Sequence, residues 1–289
     1  MPRLNRAIEL LEKDQPIYYT SPSELSYDGG IAASGTWADY LLVEMEHGTF
    51  DLTALDAFMK GLVAAGPTTD GYQTPPVIVT LPVGGTSESV MLANAWMVHQ
   101  VFARGVHGIL LCHARTPEAV RAFVEAARYP FQQTGVGDMI GVGQRGSGGQ
   151  DSAAAVWGLS TDEYLRRADV WPLNPEGELM LGLKIEDRQA LANADASLRM
   201  PGIAFAEWGP GDMGMSFGYP NQHDPPYSPE MGAARATVLR ACKANRVAFL
   251  NSVSPENVTE MIDEGVRVGG GPEDAAKIGR RYTGNNRPG

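Results

Sequence analysis

The chain has few cysteines, a shortage of positive charge and no long apolar run. Cys112 and Cys242 are its two cysteines among 289 residues, too few for a disulfide framework, which favours a reducing, cytoplasmic location. The net charge of −11 argues against nucleic acids and anionic membranes as partners. No stretch reaches roughly 18 consecutive apolar residues, so no membrane span is predicted. The charged first residues lack the apolar segment of a signal peptide.

Two phosphate-binding signatures are also absent. No G-x-G-x-x-G follows the first strand-like run, and no G-K-[ST] occurs in the glycine-rich stretch 135–149. That stretch holds seven glycines in fifteen positions. Because long irregular loops in compact domains are often functional, it is predicted to be a lid or binding loop. A flexible surface loop is the alternative interpretation.

Short aliphatic runs alternate with helical patterns along most of the chain. Strands are predicted at 16–20, 40–45, 76–81, 108–113, 179–186, 203–208, 247–252 and 265–270. Strands separated by helices of 10–15 residues form parallel βαβ units, and eight such units favour a closed (β/α)8 TIM barrel over an open doubly wound sheet. The prediction is one domain over 1–289, with a frayed tail at 283–289.

Three of these runs end in a side chain suited to metal or acid–base chemistry. His47 closes YLLVEMEH, Glu186 closes LMLGLKIE, and Asp212 follows IAFAEWGPG. Because the carboxyl ends of barrel strands meet at one mouth, these three side chains are expected to converge there. Carboxylates suit hard cations such as Mg²⁺ and Mn²⁺. The alternative is that each acid only caps the helix that follows it.

His47 is a candidate general base. Glu44 and Glu46 lie close in sequence, and a neighbouring carboxylate would orient the imidazole and raise its basicity. An imidazole near neutral pKa can then take up and return a proton. A histidine that serves only as scaffolding is the alternative.

Three segments resemble the HpcH/HpaI aldolase family. They are DYLLVEMEHGTFD, GVHGILLCHARTPEAVRAFVEAARYP and GLKIEDRQALANADASLRMPGIAFAEWGPGDMGMSFG. Their E-H and G-P-x-D motifs are short, but their order and spacing make the resemblance specific over about residues 16–280.

This resemblance implies a class II aldolase on a (β/α)8 barrel, usually a homohexamer. Such enzymes use a divalent metal, Mg²⁺, Mn²⁺ or Co²⁺, to cleave 4-hydroxy-2-oxoacids into pyruvate or a related oxoacid and an aldehyde, through a metal-stabilised enolate. Glu186 and Asp212 would bind the metal, and His47 would handle protons. Substrate contacts are expected from the segment Trp208, Gly209, Pro210 and Gly211 and from Thr80.

The chain departs from the family pattern at positions that matter for chemistry. Thr80 stands where the family has an active-site arginine, Lys184 replaces a glutamine, and Glu44 replaces an aspartate. Since side chains two apart share a face, Lys184 should point into the barrel beside Glu186 and supply the missing positive charge. Pairing with Glu44 or Glu186 is the alternative. His113, after the fourth strand, is also expected to face the mouth.

The departures leave the reaction more open than the fold. A bulky or aromatic substrate is suggested by Trp157, Trp171, Trp208 and Met213, which are expected near the mouth or lid, and it would suit aromatic catabolism. Other hypotheses are a metal-dependent lyase or decarboxylase of another oxoacid, a Schiff-base aldolase using Lys184, and a non-catalytic homologue. The last is disfavoured because buried polar groups without a function are costly.

Overall fold

A closed barrel of parallel strands forms the centre of the protein. The structure is a computed structural model and describes residues 2–221 and 224–285. The strands are β1 (Ile17–Thr20), β2 (Tyr40–Val43), β3 (Val77–Gly84), β4 (Gly108–Cys112), β5 (Val170–Trp171), β6 (Leu179–Lys184), β7 (Ile203–Glu207), β8 (Ala248–Ser252) and β9 (Val266–Gly270). Eight of them follow the order β4-β3-β2-β1-β9-β8-β7-β6, and pairing of β4 with β6 closes the ring. The predicted (β/α)8 barrel is confirmed.

Helices surround the barrel. They are α1 (Arg6–Glu12), α2 (Tyr27–Ala33), α3 (Leu52–Ala64), α4 (Glu88–Phe102), α5 (Pro117–Ala127), α6 (Gln150–Trp157), α7 (Thr161–Arg167), α8 (Arg188–Ala192), α9 (Ala194–Leu198), α10 (Pro210–Phe217), α11 (Pro229–Asn245), α12 (Val258–Glu264) and α13 (Glu273–Tyr282). Asp51 and Thr116 cap α3 and α5 through their side-chain oxygens, which satisfies amides that the first turn leaves free. The two-residue β5 was not predicted and lies beside the start of β6.

The apolar core has two layers. Side chains that point outward from the strands pack beneath the helices, whereas those that point inward fill the barrel. The inner cluster joins Ile17, Tyr40, Ile78, Leu110, Met180, Phe205, Leu250 and Val268 to Ala7, Ile8 and Leu10 of α1. The helix α1 therefore closes the amino-terminal end of the barrel, and the opposite end is left as the mouth.

The glycine-rich stretch 135–149 lies at the amino-terminal end of the barrel. It follows α5, whose last turn is at that end, and the amide of Gly141 donates to Glu125 of α5 at 2.7 Å. The guanidinium of Arg145 is buried, with its centre 4.2 Å from the centre of the Tyr129 ring. The stretch therefore lies away from the mouth of its own barrel, because a helix-to-strand connection returns to the other end, and its role as a lid or binding loop stays a prediction.

The carboxyl-terminal segment is anchored up to Asn285. Helix α13 ends at Tyr282, and the amide of Asn285 donates to the carbonyl of Arg280 at 2.8 Å. The last four residues of the predicted frayed tail, 286–289, lie outside the described residues. In the described part of the chain, no helix combines the length and the apolar character needed to cross a membrane.

Candidate active site

Four potential ligand side chains meet at the mouth. One donor atom from each of Glu46, His113, Glu186 and Asp212 lies within 4.8 Å of the others. We call these four residues the mouth cluster. It contains both acids predicted as metal ligands, and it also contains His113, which was expected to face the mouth. Glu46 was noted in the sequence only as a neighbour of His47.

Three strand ends and one helix start bring the mouth cluster together. Glu186 lies two residues beyond β6, and its Oε1 accepts a hydrogen bond from the amide of His113 at 2.8 Å. His113 follows β4 with a left-handed φ of 48°, a conformation that is uncommon outside glycine. Asp212 lies in the first turn of α10. The preceding Gly209 must be a glycine, because a Cβ there would lie 2.4 Å from the Cβ of Glu186.

Glu46 is held in place by the loop of residues 44–48, the β2 loop. The carboxylate of Glu44 accepts hydrogen bonds from the amides of Glu46 at 2.6 Å, of His47 at 2.7 Å and of the last loop residue at 2.9 Å. The hydroxyl of Thr80, which is buried, accepts from the amide of Glu46 at 3.2 Å. Glu44 and Thr80 therefore fix the backbone of this loop, and neither side chain belongs to the mouth cluster.

His47 stands at the edge of the mouth. Its side chain is 68% exposed, and its Nε2 lies 3.6 Å from Oε2 of Glu46. The carboxylate beside the imidazole is therefore that of Glu46, and Glu44 contacts His47 through the backbone amide. This geometry gives His47 access to a molecule entering the mouth and a carboxylate beside its imidazole.

Lys184 points into the barrel, as its spacing from Glu186 predicts. Its Nζ lies 2.8 Å from Oε2 of Glu46 and 3.9 Å from Oε2 of Glu186. Burial opposes the charge on the ammonium, but Cys112 and the carboxylates of Glu186, Glu207 and Glu46 raise the pKa of Lys184 above its usual value. A lysine held in the charged form is a poor Schiff-base nucleophile and a good electrostatic group.

The pKa values of the residues in the mouth cluster are shifted in different directions. Burial raises the pKa of Glu186 to about 8, against the opposing effect of Lys184. For Glu46, burial is outweighed by hydrogen bonds from Cys112 and Lys184, which lower its pKa. The Asp187 carboxylate, 3.5 Å from Nδ1 of His113, raises the pKa of that imidazole against its burial.

The mouth cluster fits a divalent cation. Oε2 of Glu186 is buried and accepts no hydrogen bond from residues 2–221 or 224–285, which is costly unless another group compensates it. Three carboxylates and one imidazole form a donor set that suits Mg²⁺, Mn²⁺ or Co²⁺. Glu46, His113, Glu186 and Asp212 are thus the residues that could hold such an ion.

Glu207 is a mouth residue that the sequence reasoning missed. It is the register partner of Lys184 on the neighbouring strand and lies largely buried inside the barrel. Burial raises its pKa, and the nearby Lys184 lowers it. Strand alternation, which predicted the position of Lys184, also predicts that of Glu207. Phe205 belongs to the inner cluster, and Glu207, two residues later on the same strand, points to the same face.

The aromatic residues expected near the mouth lie elsewhere. Trp208 is 1% exposed, and its Nε1 donates to Asn251 behind the strand, so its side chain does not face the mouth. Trp157 stacks on His107, which precedes β4, and Trp171 pairs with the start of β6, so both lie at the amino-terminal end. Met213 is buried in the outer core layer. These positions remove the argument for a bulky aromatic substrate and for aromatic catabolism.

Comparison with known proteins identifies the family. The model of the HpcH/HpaI aldolase/citrate lyase family matches residues 31–269. A 2-keto-3-deoxy-L-rhamnonate aldolase from Klebsiella pneumoniae is 31% identical over 246 residues, which cover 85% of this chain and 78% of that protein. The same enzyme from Salmonella typhi has the same identity and coverage.

Solved structures agree with the fold. An HpcH/HpaI aldolase/citrate lyase family protein from Burkholderia cenocepacia superposes with a TM-score of 0.71 at 20% identity, covering 96% of each chain. An HpcH/HpaI aldolase from Desulfitobacterium hafniense gives 0.68 at 18% identity, covering 98% of this chain and 97% of the other. At such identities the similarity concerns the fold.

The fold and the site together define a class of protein. It is a (β/α)8-barrel enzyme whose mouth carries acidic groups suited to a cation. The chain belongs to the HpcH/HpaI aldolase/citrate lyase family and is a carbon–carbon lyase of the aldolase type.

Proposed function

We propose that this enzyme cleaves a 4-hydroxy-2-oxoacid into pyruvate or a related oxoacid and an aldehyde with the help of a divalent cation. The observation that carries the proposal is the mouth cluster, where a buried oxygen of Glu186, without a hydrogen bond from any described residue, lies beside three further donors. The named relatives act on a 2-keto-3-deoxy acid, which supports a substrate of this class.

Glu186 and Asp212 are proposed as the main metal ligands, with Glu46 and His113 beside them. A bound divalent cation would supply Lewis acidity at the keto oxygen of the substrate. Because Glu186 and Asp212 come from different elements, they can hold the ion while leaving space for substrate oxygens on the open side of the mouth.

The carboxylate of the oxoacid has a plausible site at the start of α10. The first amides of this helix have no side-chain cap, and the helix amino terminus favours an anion. Gly209, which lies against Glu186, and Gly211 each carry an amide hydrogen, whereas Pro210 has none and sets the first turn. We propose that this segment orients the substrate. Trp208, with its side chain packed behind the strand, supports the segment from outside.

His47 is proposed as the group that moves the proton. In the cleavage direction it accepts the proton of the 4-hydroxyl group as the bond between C3 and C4 breaks. The electron pair of that bond moves into the enolate of the oxoacid, and the aldehyde leaves. Protonation of the enolate at C3 then gives the free oxoacid. Exposure of His47 to the mouth and the nearby Glu46 carboxylate support this role.

Lys184 is proposed as the positive charge that stabilises the developing enolate. The side chain at position 80 cannot serve, because the hydroxyl of Thr80 is occupied by the β2 loop. For the same reason we revise the expected role of Thr80 from substrate contact to positioning of this loop. Glu44, expected among the catalytic residues, has an equivalent positioning role through its three amide contacts.

A direct assay tests the proposal. Purified enzyme is incubated with Mn²⁺, Mg²⁺ or Co²⁺ and a series of 4-hydroxy-2-oxoacids, and release of pyruvate is followed with a coupled dehydrogenase. Chelator should abolish turnover and the added ion should restore it. Full turnover in excess EDTA, together with a borohydride-trapped adduct on Lys184, would establish the Schiff-base alternative instead.

Self-association is also proposed, as a homohexamer. The family resemblance supports it, and Leu92 and Trp96 are about half exposed on one face of α4, with Phe50 in contact with Trp96. An apolar strip of this kind is a common feature of subunit interfaces. Light scattering at micromolar concentration should give a mass near six times 31.0 kDa. A mass of one chain would contradict the proposal.

A reducing compartment, the cytoplasm, is proposed as the location. Cys112 and Cys242 are both free and buried in the structure. Burial raises the pKa of both thiols, that of Cys242 to about 12, so neither is a reactive thiolate. Free unreactive thiols are typical of proteins that remain in such a compartment.

A further inference from the structure

Glu207 and Lys184 form a pair of charges just below the mouth cluster. They are register partners on β7 and β6, so their side chains enter the barrel side by side. Tyr19 from β1 is the third polar group nearby. Burial and Glu207 raise the pKa of Tyr19, whereas Lys184 lowers it, which places the phenol close to both charges.

The carboxylate of Glu207 has no hydrogen bond to any residue in the described ranges 2–221 and 224–285. Largely buried carboxylates are normally paired with a donor or a cation. The neighbouring Lys184 is committed to Glu46, at 2.8 Å, and lies 3.9 Å from Glu186. Glu207 therefore contributes a negative charge beside Lys184 without sharing in its hydrogen bond.

Lys184 creates a difficulty for a cation site. Its ammonium contacts one of the four donors and approaches a second, so it competes with a divalent cation for the same oxygens. Charges a few ångströms apart in a largely buried site interact strongly. A further negative charge near the ammonium, on a residue that is not itself a ligand, would reduce this competition because it attracts the ammonium without occupying the ligand oxygens.

We propose that Glu207 is a positioning residue that offsets the ammonium of Lys184, so that the lysine and a divalent cation occupy the mouth together. The inference rests on the proposed function, because it assumes that the mouth cluster binds a cation. Glu207 acts through Lys184 and is not one of the four donors. In this role, Glu207 allows the cationic side chain of Lys184 to remain next to a bound divalent cation.

The test measures Mn²⁺ affinity by isothermal titration calorimetry, without any assay of turnover. Five proteins are compared: the unchanged enzyme, Glu207→Gln, Lys184→Met, the double variant, and Glu176→Gln. The last removes one negative charge from an exposed position before β6, at the amino-terminal end of the barrel, and controls for net charge. Glu207→Asp is a sixth protein that keeps the charge and controls for packing, and Glu207→Met removes the charge where Glu207→Gln does not fold.

Glu207→Gln should weaken Mn²⁺ binding about tenfold, because the ammonium is then uncompensated. Adding Lys184→Met to Glu207→Gln should restore the affinity to within about threefold of the unchanged enzyme, since the two changes are coupled. Glu207→Asp and Glu176→Gln should bind like the unchanged enzyme. A packing defect at position 207 would not be repaired by removing a lysine amine, so the restoration separates positioning from structure.

Two results would overturn the inference while leaving the proposed function intact. One is Mn²⁺ affinity that does not change in Glu207→Gln. The other is a loss of the same size with and without Lys184, which would mean that Glu207 acts on the ion directly. If the unchanged enzyme itself binds no Mn²⁺, Mg²⁺ or Co²⁺, the proposed function fails and the inference fails with it.

Discussion

The two ends of the barrel differ in how their buried charged side chains are paired. At the amino-terminal end, Arg128 makes two hydrogen bonds to Asp169, at 2.6 and 3.0 Å, and Arg167 pairs with Glu178 at 2.6 Å. At the mouth, several carboxylates surround Lys184, and one oxygen of Glu186 has no hydrogen-bond partner among the described residues. Breaking a buried pair of charges destabilises a fold, whereas a surplus of one sign favours binding of an ion of the opposite sign. The contrast separates the scaffold from the site.

The largest effect is expected from removing a charge at the mouth. Glu186→Gln should abolish binding of Mn²⁺ and turnover, because the site loses the donor with the unpaired buried oxygen. The fold should survive, since burial already raises the pKa of Glu186 to about 8 and the amide oxygen of glutamine can keep the hydrogen bond from the amide of His113. Calorimetry, the lyase assay and thermal unfolding measure the three quantities. If Glu186→Gln unfolds instead, Glu186 belongs to the scaffold and the contrast between the two ends is lost.

His47→Ala should lower kcat by roughly 10² to 10⁴, the usual contribution of a positioned acid–base group. Mn²⁺ affinity should change little, because the exposed imidazole is outside the mouth cluster. Steady-state kinetics measures the change in kcat, and calorimetry on the same preparation measures the change in Mn²⁺ affinity. Parallel loss of Mn²⁺ binding would place His47 among the ligands.

At the opposite end, Asp169→Asn should destabilise the fold by about 3–5 kcal/mol, because it leaves the buried guanidinium of Arg128 without its counter-charge. Activity per folded molecule should not change. Urea unfolding measures the free energy. Asp56→Asn, which breaks the surface pair with Lys60, is the matched control and should cost less than about 1 kcal/mol. Equal costs would show that burial of the pair does not matter.

The smallest effect concerns pH and His107, at the amino-terminal end. Burial lowers the pKa of His107 from 6.5 to about 3, so the unfolded chain binds the additional proton between these values. Stability from this residue is therefore present above pH 6.5 and lost as pH falls, by up to about 1.4 kcal/mol per pH unit. Denaturant unfolding between pH 4 and 7 measures the slope, and His107→Gln should reduce it. An unchanged slope would contradict the assignment.

The fold followed closely from the sequence because its signals are repetitive. Each aliphatic run followed by a helical pattern adds one βα unit, and an error at one unit leaves the others in place. For the glycine-rich stretch, composition indicated a functional loop but not the end of the barrel at which it lies, which connectivity gives. That stretch follows a helix, and helix-to-strand connections of a barrel lie opposite the mouth.

The orientation of site residues could be predicted from the sequence along the strands, where side chains alternate between two faces, but not in the loops that follow the strands. Glu186 and Lys184 share a face with the inner cluster along β6, and the sequence placed both inside. Glu46 lies three residues beyond the end of β2, in a loop whose shape depends on hydrogen bonds from another strand. His113 was expected at the mouth from its place after the fourth strand, but its left-handed backbone conformation is indicated by no local pattern.

The hydrogen bonds of the Glu44 carboxylate position two residues, Glu46 and His47, that have separate roles in the proposed mechanism. One carboxylate fixes the backbone of both Glu46, which lies in the mouth cluster, and His47, which faces the incoming molecule. Any change at position 44 is therefore expected to disturb the proposed cation site and the proposed proton acceptor together. In a mutational scan Glu44 would score among the most sensitive positions of the enzyme, although its own oxygens are occupied by the main chain.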